Sequence, residues 1–246
     1  MENLVTAGRS KYEKKSLSDM VVLYIKNRIL EGSLKSGDKL IEADISAALN
    51  TSRAPVREAM RILNEQGIVS FLPRKGNHVL EMTKEELSEV FEIRTNLEMR
   101  ILQKLVMEQM LCPEDFRELD KMTQKMMDGE RQCKSQEERI YMLNTMDIGF
   151  HRYLWNASRS SRRGQILDGL FYQLLIAMNQ DTYSLGTFEE KAIEHMRIVE
   201  ALKKADLPVV LNEFYEHLKV YMDASIGDKE QIKKAASAGM QTAANK

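Results

Sequence analysis

Little in this chain points to a protein held by covalent staples, threaded through a membrane or built mainly from turns. Its two cysteines, Cys112 and Cys133, form no disulfide framework and have no metal-ligand spacing. No apolar run approaches the ~18 residues of a membrane span. Residues 1–15, MENLVTAGRSKYEKK, lack the hydrophobic core of a secretory signal. The expectation is a cytoplasmic protein with no membrane partner. Four prolines, 12 glycines and 7% aromatics in 246 residues are too sparse a punctuation for an all-β chain, and the alternative is a mostly helical one.

A dominant charge of one sign is also missing, since the net charge is −1. That balance hides an asymmetry: residues 1–82 carry +3 and the remainder −4. A mildly basic piece joined to a mildly acidic one hints at nucleic acid at one end, but decides nothing alone. What the chain does have is 43% hydrophobic residues and 16 methionines, enough soft volume for a sizeable core or an adaptable pocket.

The first third reads helix, helix, helix, hairpin. A helical apolar spacing runs over 17–31 and ends at Gly32. The turn GSLKSGDKL follows, and then a short helix from about Glu42 to Leu49. In the tight turn NTS, Asn50 is one of the few non-glycine residues that tolerate a left-handed backbone. Ser52 caps the next helix, Pro55 is tolerated in its first turn, and Gly67 ends it. IVSFLPRKGNHVLEM then reads as two strands folded over PRKGN.

In TSRAPVREAMRIL, residues 51–63, Arg53, Arg57 and Arg61 recur at a step of four and so share one helix face. Val56, Ala59, Met60 and Leu63 make the other face apolar. An isolated arginine stripe is more often a solvated surface, here paired with Glu58 or Glu65. The tight turn and short helix before it, and the basic hairpin tip after it (Arg74, Lys75, Gly76), favour the alternative, a winged helix-turn-helix on DNA. Arginine suits that use because its planar fork can bond guanine O6 and N7 together, or pair with phosphate.

The stretch GSLKSGDKLIEADISAALNTSRAPVREAMRILNEQGIV, with RKGNHV after it, resembles the DNA-binding domain of the GntR family of bacterial transcription regulators. The resemblance implies that Arg53, Arg57 and Arg61 face the operator, with Arg74, Lys75 and Gly76 at the wing tip. Ala54 and Asn50 stand where that family commonly has Thr and Gly.

Beyond residue 82 the chain is punctuated by helix starts. Thr83/Glu86, Ser135/Glu138 and Thr187/Glu190 fit the S/T-x-x-E capping box. Helices near 84–110, 113–131, 136–158, 161–183, 187–205 and 207–226 can bury their stripes only as an antiparallel bundle. The expected fold class is therefore mainly α, a winged helix-turn-helix followed by an all-α antiparallel bundle of six helices, or seven. The expected boundaries are an arm at 1–15, the DNA-binding domain at 16–82, the bundle at 83–226 and a flexible tail at 227–246.

Polar residues interrupt the apolar stripes of the bundle helices. Asp147 and His151 sit four apart on one stripe, and His195 and His217 each continue another. A lone core histidine is more often hydrogen-bonded than metal-bound. A core carboxylate costs several kcal/mol to desolvate unless something pairs with it. One Asp with three His would suit a divalent transition metal such as Zn²⁺, Ni²⁺ or Mn²⁺, although inward phase does not establish convergence. Arg94 is also phased inward, either for a salt bridge to Glu98 or a facing acid, or for an anion.

EVFEIRTNLEM, MDIGFHRYLWNAS, KAIEHMRIVEAL and FYEHLKVYM resemble the effector-binding FCD domain of the FadR-like branch of GntR regulators, and with the N-terminal match the resemblance covers roughly residues 16–226. It implies that Asp147, His151, His195 and His217 bind a metal and that Arg94 contacts the carboxylate of a small organic acid. No second arginine stands near IAMNQDTY, so Asn179 or Tyr183 is the expected further ligand contact. The implied function is a ligand-responsive regulator, more a repressor than an activator, acting as a homodimer on a palindromic double-stranded operator. It is not expected to be an enzyme. The competing readings are a metal sensor with the ion as effector, and a metal-dependent enzyme, which would need a general base the sequence does not supply.

Overall fold

The computed structural model describes residues 16–178 and 186–226; the expected arm and tail fall outside them. The first described helix is α1 (Leu17–Leu30), capped reciprocally: the Ser16 hydroxyl accepts from the Asp19 N–H and the Asp19 carboxylate accepts from the Ser16 N–H. α2 (Glu42–Ala48) and α3 (Arg53–Glu65) follow, joined through Asn50 at φ +47°, the left-handed turn that its side chain tolerates. Ser52 has the extended backbone of an N-cap but makes no capping side-chain bond. Pro55, third in the helix, has no N–H to offer it.

The hairpin of β2 (Val69–Leu72) and β3 (Gly76–Val79) is antiparallel, with Val69 opposite Val79 and Leu72 opposite Gly76. A third strand, β1 (Lys39–Leu40), pairs with the other edge of β3 and gives the order β1-β3-β2. Those two residues fall in GSLKSGDKL, the stretch expected to be a turn. Two residues are too few to display alternation, and only the burial of Leu40 marks them.

Six helices follow: α4 (Lys84–Met107), α5 (Pro113–Met127), α6 (Gln136–Ala157), α7 (Ser161–Met178), α8 (Phe188–Lys203) and α9 (Leu207–Ile226), with a 3-10 turn over Gly129–Gln132. Thr83 with Glu86 and Thr187 with Glu190 form complete capping boxes. The expected box at Ser135 is half formed, because Glu138 accepts from the backbone N–H of Lys134 instead of Ser135. α4 packs on α7 and α9, α8 on α5 and α9, and α6 chiefly on α7, a closed bundle that turns polar stripes from four helices inward.

The two parts are tightly joined. A single apolar cluster runs from Val21, Ile25 and Leu63 into Phe171, Tyr172 and Leu175. Lys26 of α1 reaches Asp168 of α7 at 2.8 Å, and Asn144 of α6 donates to the carbonyl of Leu30 at 2.9 Å. At the end of α3, the carbonyl of Gln66 accepts from Gln173, and Gly67 (φ +65°) lies so close to α7 that a Cβ would sit 2.5 Å from the Gln173 amide nitrogen.

Candidate metal centre and nucleic-acid interface

The amphipathic α3 buries Val56, Ala59, Met60 and Leu63, which forces its arginines outward. All three are exposed. Arg57 pairs with Glu42 of α2 at 2.8 Å, and Arg61 is held between Glu58 and Glu65. Arg53, in the first turn, has no ion pair among the described residues. Arg61 thus adopts the surface pairing expected as the alternative to DNA contact and Arg57 finds Glu42 instead, yet their side chains remain 59% and 67% exposed. Pairs so wetted contribute little to stability, and a phosphate or base edge can replace the carboxylate partner. At the wing tip Arg74 and Lys75 are exposed, Arg74 at φ +65° and Gly76 at φ +90°, with open space where a Gly76 side chain would stand.

The second site lies at the centre of the bundle. Asp147 and His151 from α6, His195 from α8 and His217 from α9 are all buried, and each offers one ligand atom within 4.8 Å of the others. What orients them is a set of partners one layer out. The Nδ1 of His195 lies 2.8 Å from the carbonyl of Lys191, which can only accept, so this nitrogen carries the proton. His151 Nδ1 lies 2.9 Å from Glu98, and His217 Nδ1 lies 2.8 Å from Glu194, both carboxylates that accept in their ionised form.

With Nδ1 as donor in all three rings, every Nε2 presents a lone pair to the middle. His151 Nε2 and His217 Nε2 then face one another at 3.2 Å as two acceptors, and His195 Nε2 is buried without a hydrogen-bond partner, 3.4 Å from Asp147. A cation between them relieves both conflicts. Three neutral imidazole nitrogens and one carboxylate oxygen are a donor set for a divalent transition metal, so the residues present fit such an ion.

The electrostatics agree. Burial opposes charge on Asp147, but the surrounding imidazoles and Arg94 outweigh it and hold the carboxyl down to about 2. Burial pushes His195 down to about 4 against the pull of Asp147, and drives His217 well below its usual value. The centre is therefore anionic at its carboxylate and neutral at those two rings at physiological pH.

Arg94 borders the same centre. Its Nε donates to Glu98 at 2.6 Å, so the alternative salt bridge forms, within one helix. Its Nη2 is nonetheless buried with no hydrogen-bond partner, and Arg94 lines a small cavity with Asn144, Asp147, Phe171, Leu174 and Met178. The cavity measures about 20 Å³, room for little more than a water molecule. An organic acid would have to displace apolar side chains to enter. Asn179 and Tyr183, the other expected ligand contacts, lie outside the described residues. A larger open cleft of about 700 Å³ at the α6–α7 turn contains none of the expected site residues.

In the sequence Glu98 is marked only as a salt-bridge partner for Arg94, and Glu194 is not marked at all. Burial alone would push the Glu98 carboxyl up, but its contacts with His151 and Arg94 hold it well below the usual carboxylate range. Its signal was its place four residues from Arg94, on the same inward stripe. Glu194 gave no such signal, because it neighbours His195 in sequence yet serves His217 on another helix.

A model of bacterial regulatory proteins of the gntR family matches residues 17–79, and a model of the FCD domain matches residues 89–220. The HTH-type transcriptional regulator YdhC of Bacillus subtilis is 26% identical over 204 residues, 79% of this chain and 88% of that protein. The gluconate operon transcriptional repressor of Bacillus subtilis is 35% identical over 98 residues, but these are 39% of this chain and 40% of the repressor. Among solved structures, McbR/YncC of E. coli aligns with a TM-score of 0.71 at 23% identity, over 83% of this chain and 94% of that one. At that identity the likeness speaks for the fold.

Proposed function

The chain belongs to the gntR family of bacterial regulatory proteins and carries an FCD domain, and on that premise we propose how its two parts act together. It is a DNA-binding transcriptional regulator, as its relatives are, and not an enzyme. In our reading residues 16–82 bind DNA and residues 83–226 bind the signal. A homodimer sets two copies of α3 on a palindromic operator, with Arg53, Arg57 and Arg61 on base edges and phosphates and Arg74, Lys75 and Gly76 along the neighbouring groove. Repression is the favoured sign, as in the gluconate operon repressor. No described helix is long and apolar enough to cross a membrane, in keeping with work on DNA in the cytoplasm.

Asp147, His151, His195 and His217 hold a divalent transition metal, with Zn²⁺, Ni²⁺ and Mn²⁺ all compatible with the donors. The carrying observation is the tying-off of all three Nδ1 atoms, which leaves three Nε2 and one carboxylate converging. When bound, the metal supplies a Lewis-acidic position for a carboxylate oxygen. Arg94 supplies the other hold on that carboxylate through Nη2. Formal charge supports the pairing. Arg94, Glu98 and Asp147 sum to −1, a divalent ion reverses this to +1, and a monocarboxylate brings it to zero, while Lys191 and Glu194 cancel one another.

The acid acts on DNA binding only if it favours one arrangement of the domains over another. Asn144 provides the contact, since it lines the cavity and donates to Leu30 at the end of α1, which packs on α3. The test uses the full chain. The wild type should retain a metal in native mass spectrometry, and His195→Ala should lose most of it while operator affinity without acid is unchanged. Wild-type metal content in the variant would overturn the site.

The closed cavity favours one second reading, in which the ion itself is the effector. Operator affinity that follows metal concentration without any acid would establish it.

A further inference from the structure

Glu98 uses its two oxygens for two different tasks. Oε1 accepts from Arg94 Nε at 2.6 Å, while Oε2 accepts from His151 Nδ1 at 2.9 Å and from Trp155 Nε1 at 2.8 Å. The carboxylate is almost wholly buried, so water does not compete for either oxygen. One rigid group therefore sets the plane of the guanidinium that faces the cavity and the plane of an imidazole that faces the metal centre.

We propose that Glu98 is a positioning residue that couples metal binding to acid binding. The inference rests on the functional reading above and adds the route between the two ligands. An ion drawn to His151 Nε2 makes the opposite N–H a stronger donor, which tightens its bond to Glu98. Glu98 cannot shift toward His151 without moving the atom that holds Arg94 Nε, and Arg94 lines the cavity and carries a buried Nη2 with no hydrogen-bond partner. The same chain runs in reverse, because an equilibrium coupling is reciprocal. Trp155, the third donor, fixes Glu98 against rotation.

A glutamine at this position keeps the shape but breaks the relay. Its carbonyl can serve Arg94 or the His151 and Trp155 donors, and its NH₂ group then faces N–H donors that it cannot accept. The experiment measures Zn²⁺ affinity by calorimetry, and the affinity of acetate, lactate and gluconate with and without Zn²⁺, in the full-length wild type and in Glu98→Gln. The expected result is a loss of ~10–100-fold in Zn²⁺ affinity. The factor by which Zn²⁺ enhances acid binding should also fall by about fivefold or more, within the usual range of allosteric coupling.

A merely structural role would lower stability and leave that factor unchanged, and an unchanged factor overturns the inference while the functional reading survives. A wild type that binds Zn²⁺ but none of these acids overturns both. If Glu98→Gln fails to fold, the wild type still decides. The ¹⁵N resonance of Arg94 Nε, assigned with Arg94→Lys, should shift when Zn²⁺ is added without acid. A resonance that does not move overturns the relay.

Discussion

The molecule carries arginine–glutamate pairs in two settings, on the face of α3 and in the heart of the bundle, and the two behave as different kinds of object. Arg57 and Arg61 stand more than half exposed beside Glu42, Glu58 and Glu65. Arg94 and Glu98 are only 5% and 3% exposed in their side chains. A wetted pair is a loose resting place that can be exchanged for a nucleic-acid backbone at little cost. A buried pair is a fixed commitment of the fold, since removing one partner leaves a charge stranded away from water. The same chemistry is a replaceable contact on one surface and a fixed jig in the other.

Removing the buried partner is the severest test of this contrast. Glu98→Ala should destabilise the chain by ~3–5 kcal/mol, since Arg94 loses its ion-pair partner and His151 its acceptor. Urea denaturation of the variant and the wild type measures the difference. A cost below ~1 kcal/mol would place the pair in the same class as those on α3.

The join between the regions comes next. Asn144→Ala leaves the Leu30 carbonyl at the end of α1 without its side-chain donor, a loss of ~1–3 kcal/mol for a buried group. Beyond stability, the variant should bind operator as the wild type does but respond less to metal and acid, as seen by fluorescence anisotropy of labelled operator. A full response would mean that the signal crosses by another contact, with the Lys26–Asp168 pair the first alternative.

On the exposed side, Arg57→Ala should cost ~1–3 kcal/mol in operator affinity if the residue forms a bidentate base contact. Its thermal stability should barely change, because only a surface pair with Glu42 is lost. Unchanged affinity and salt slope would count against the interface. The opposite pattern, a stability loss with intact binding, would make the α3 stripe structural like the bundle pair.

The two regions also differed in how legible they were. α3 was readable because one helix holds the whole pattern: the step of four in Arg53, Arg57 and Arg61, the apolar face behind it, and Asn50 in the turn before it. The helices of the bundle were readable for the same local reason, through Thr83 and Thr187 at their starts. The burial of Asp147, His151, His195 and His217 followed from phase, but their meeting depends on how α6, α8 and α9 pack, which no single helix encodes. Glu194 escaped notice because its partner is 23 residues away on the next helix. β1 escaped because two residues carry no period.

The smallest effect is expected at the wing, and it isolates backbone from side chain. Gly76 lies at φ +90°, a conformation that costs an L-residue ~1–2 kcal/mol, yet a Cβ there would meet nothing within 4 Å. Gly76→Ala therefore strains the hairpin without a clash and without altering Arg74 or Lys75. If the wing must hold its tip close to DNA, operator affinity should fall several-fold while the salt slope stays at the wild-type value, since no cation is removed. Substituting Lys75 by Ala should instead reduce the slope by about one contact. Should Gly76→Ala leave affinity unchanged, the wing contributes charge alone, and the close approach of its backbone plays no part in binding.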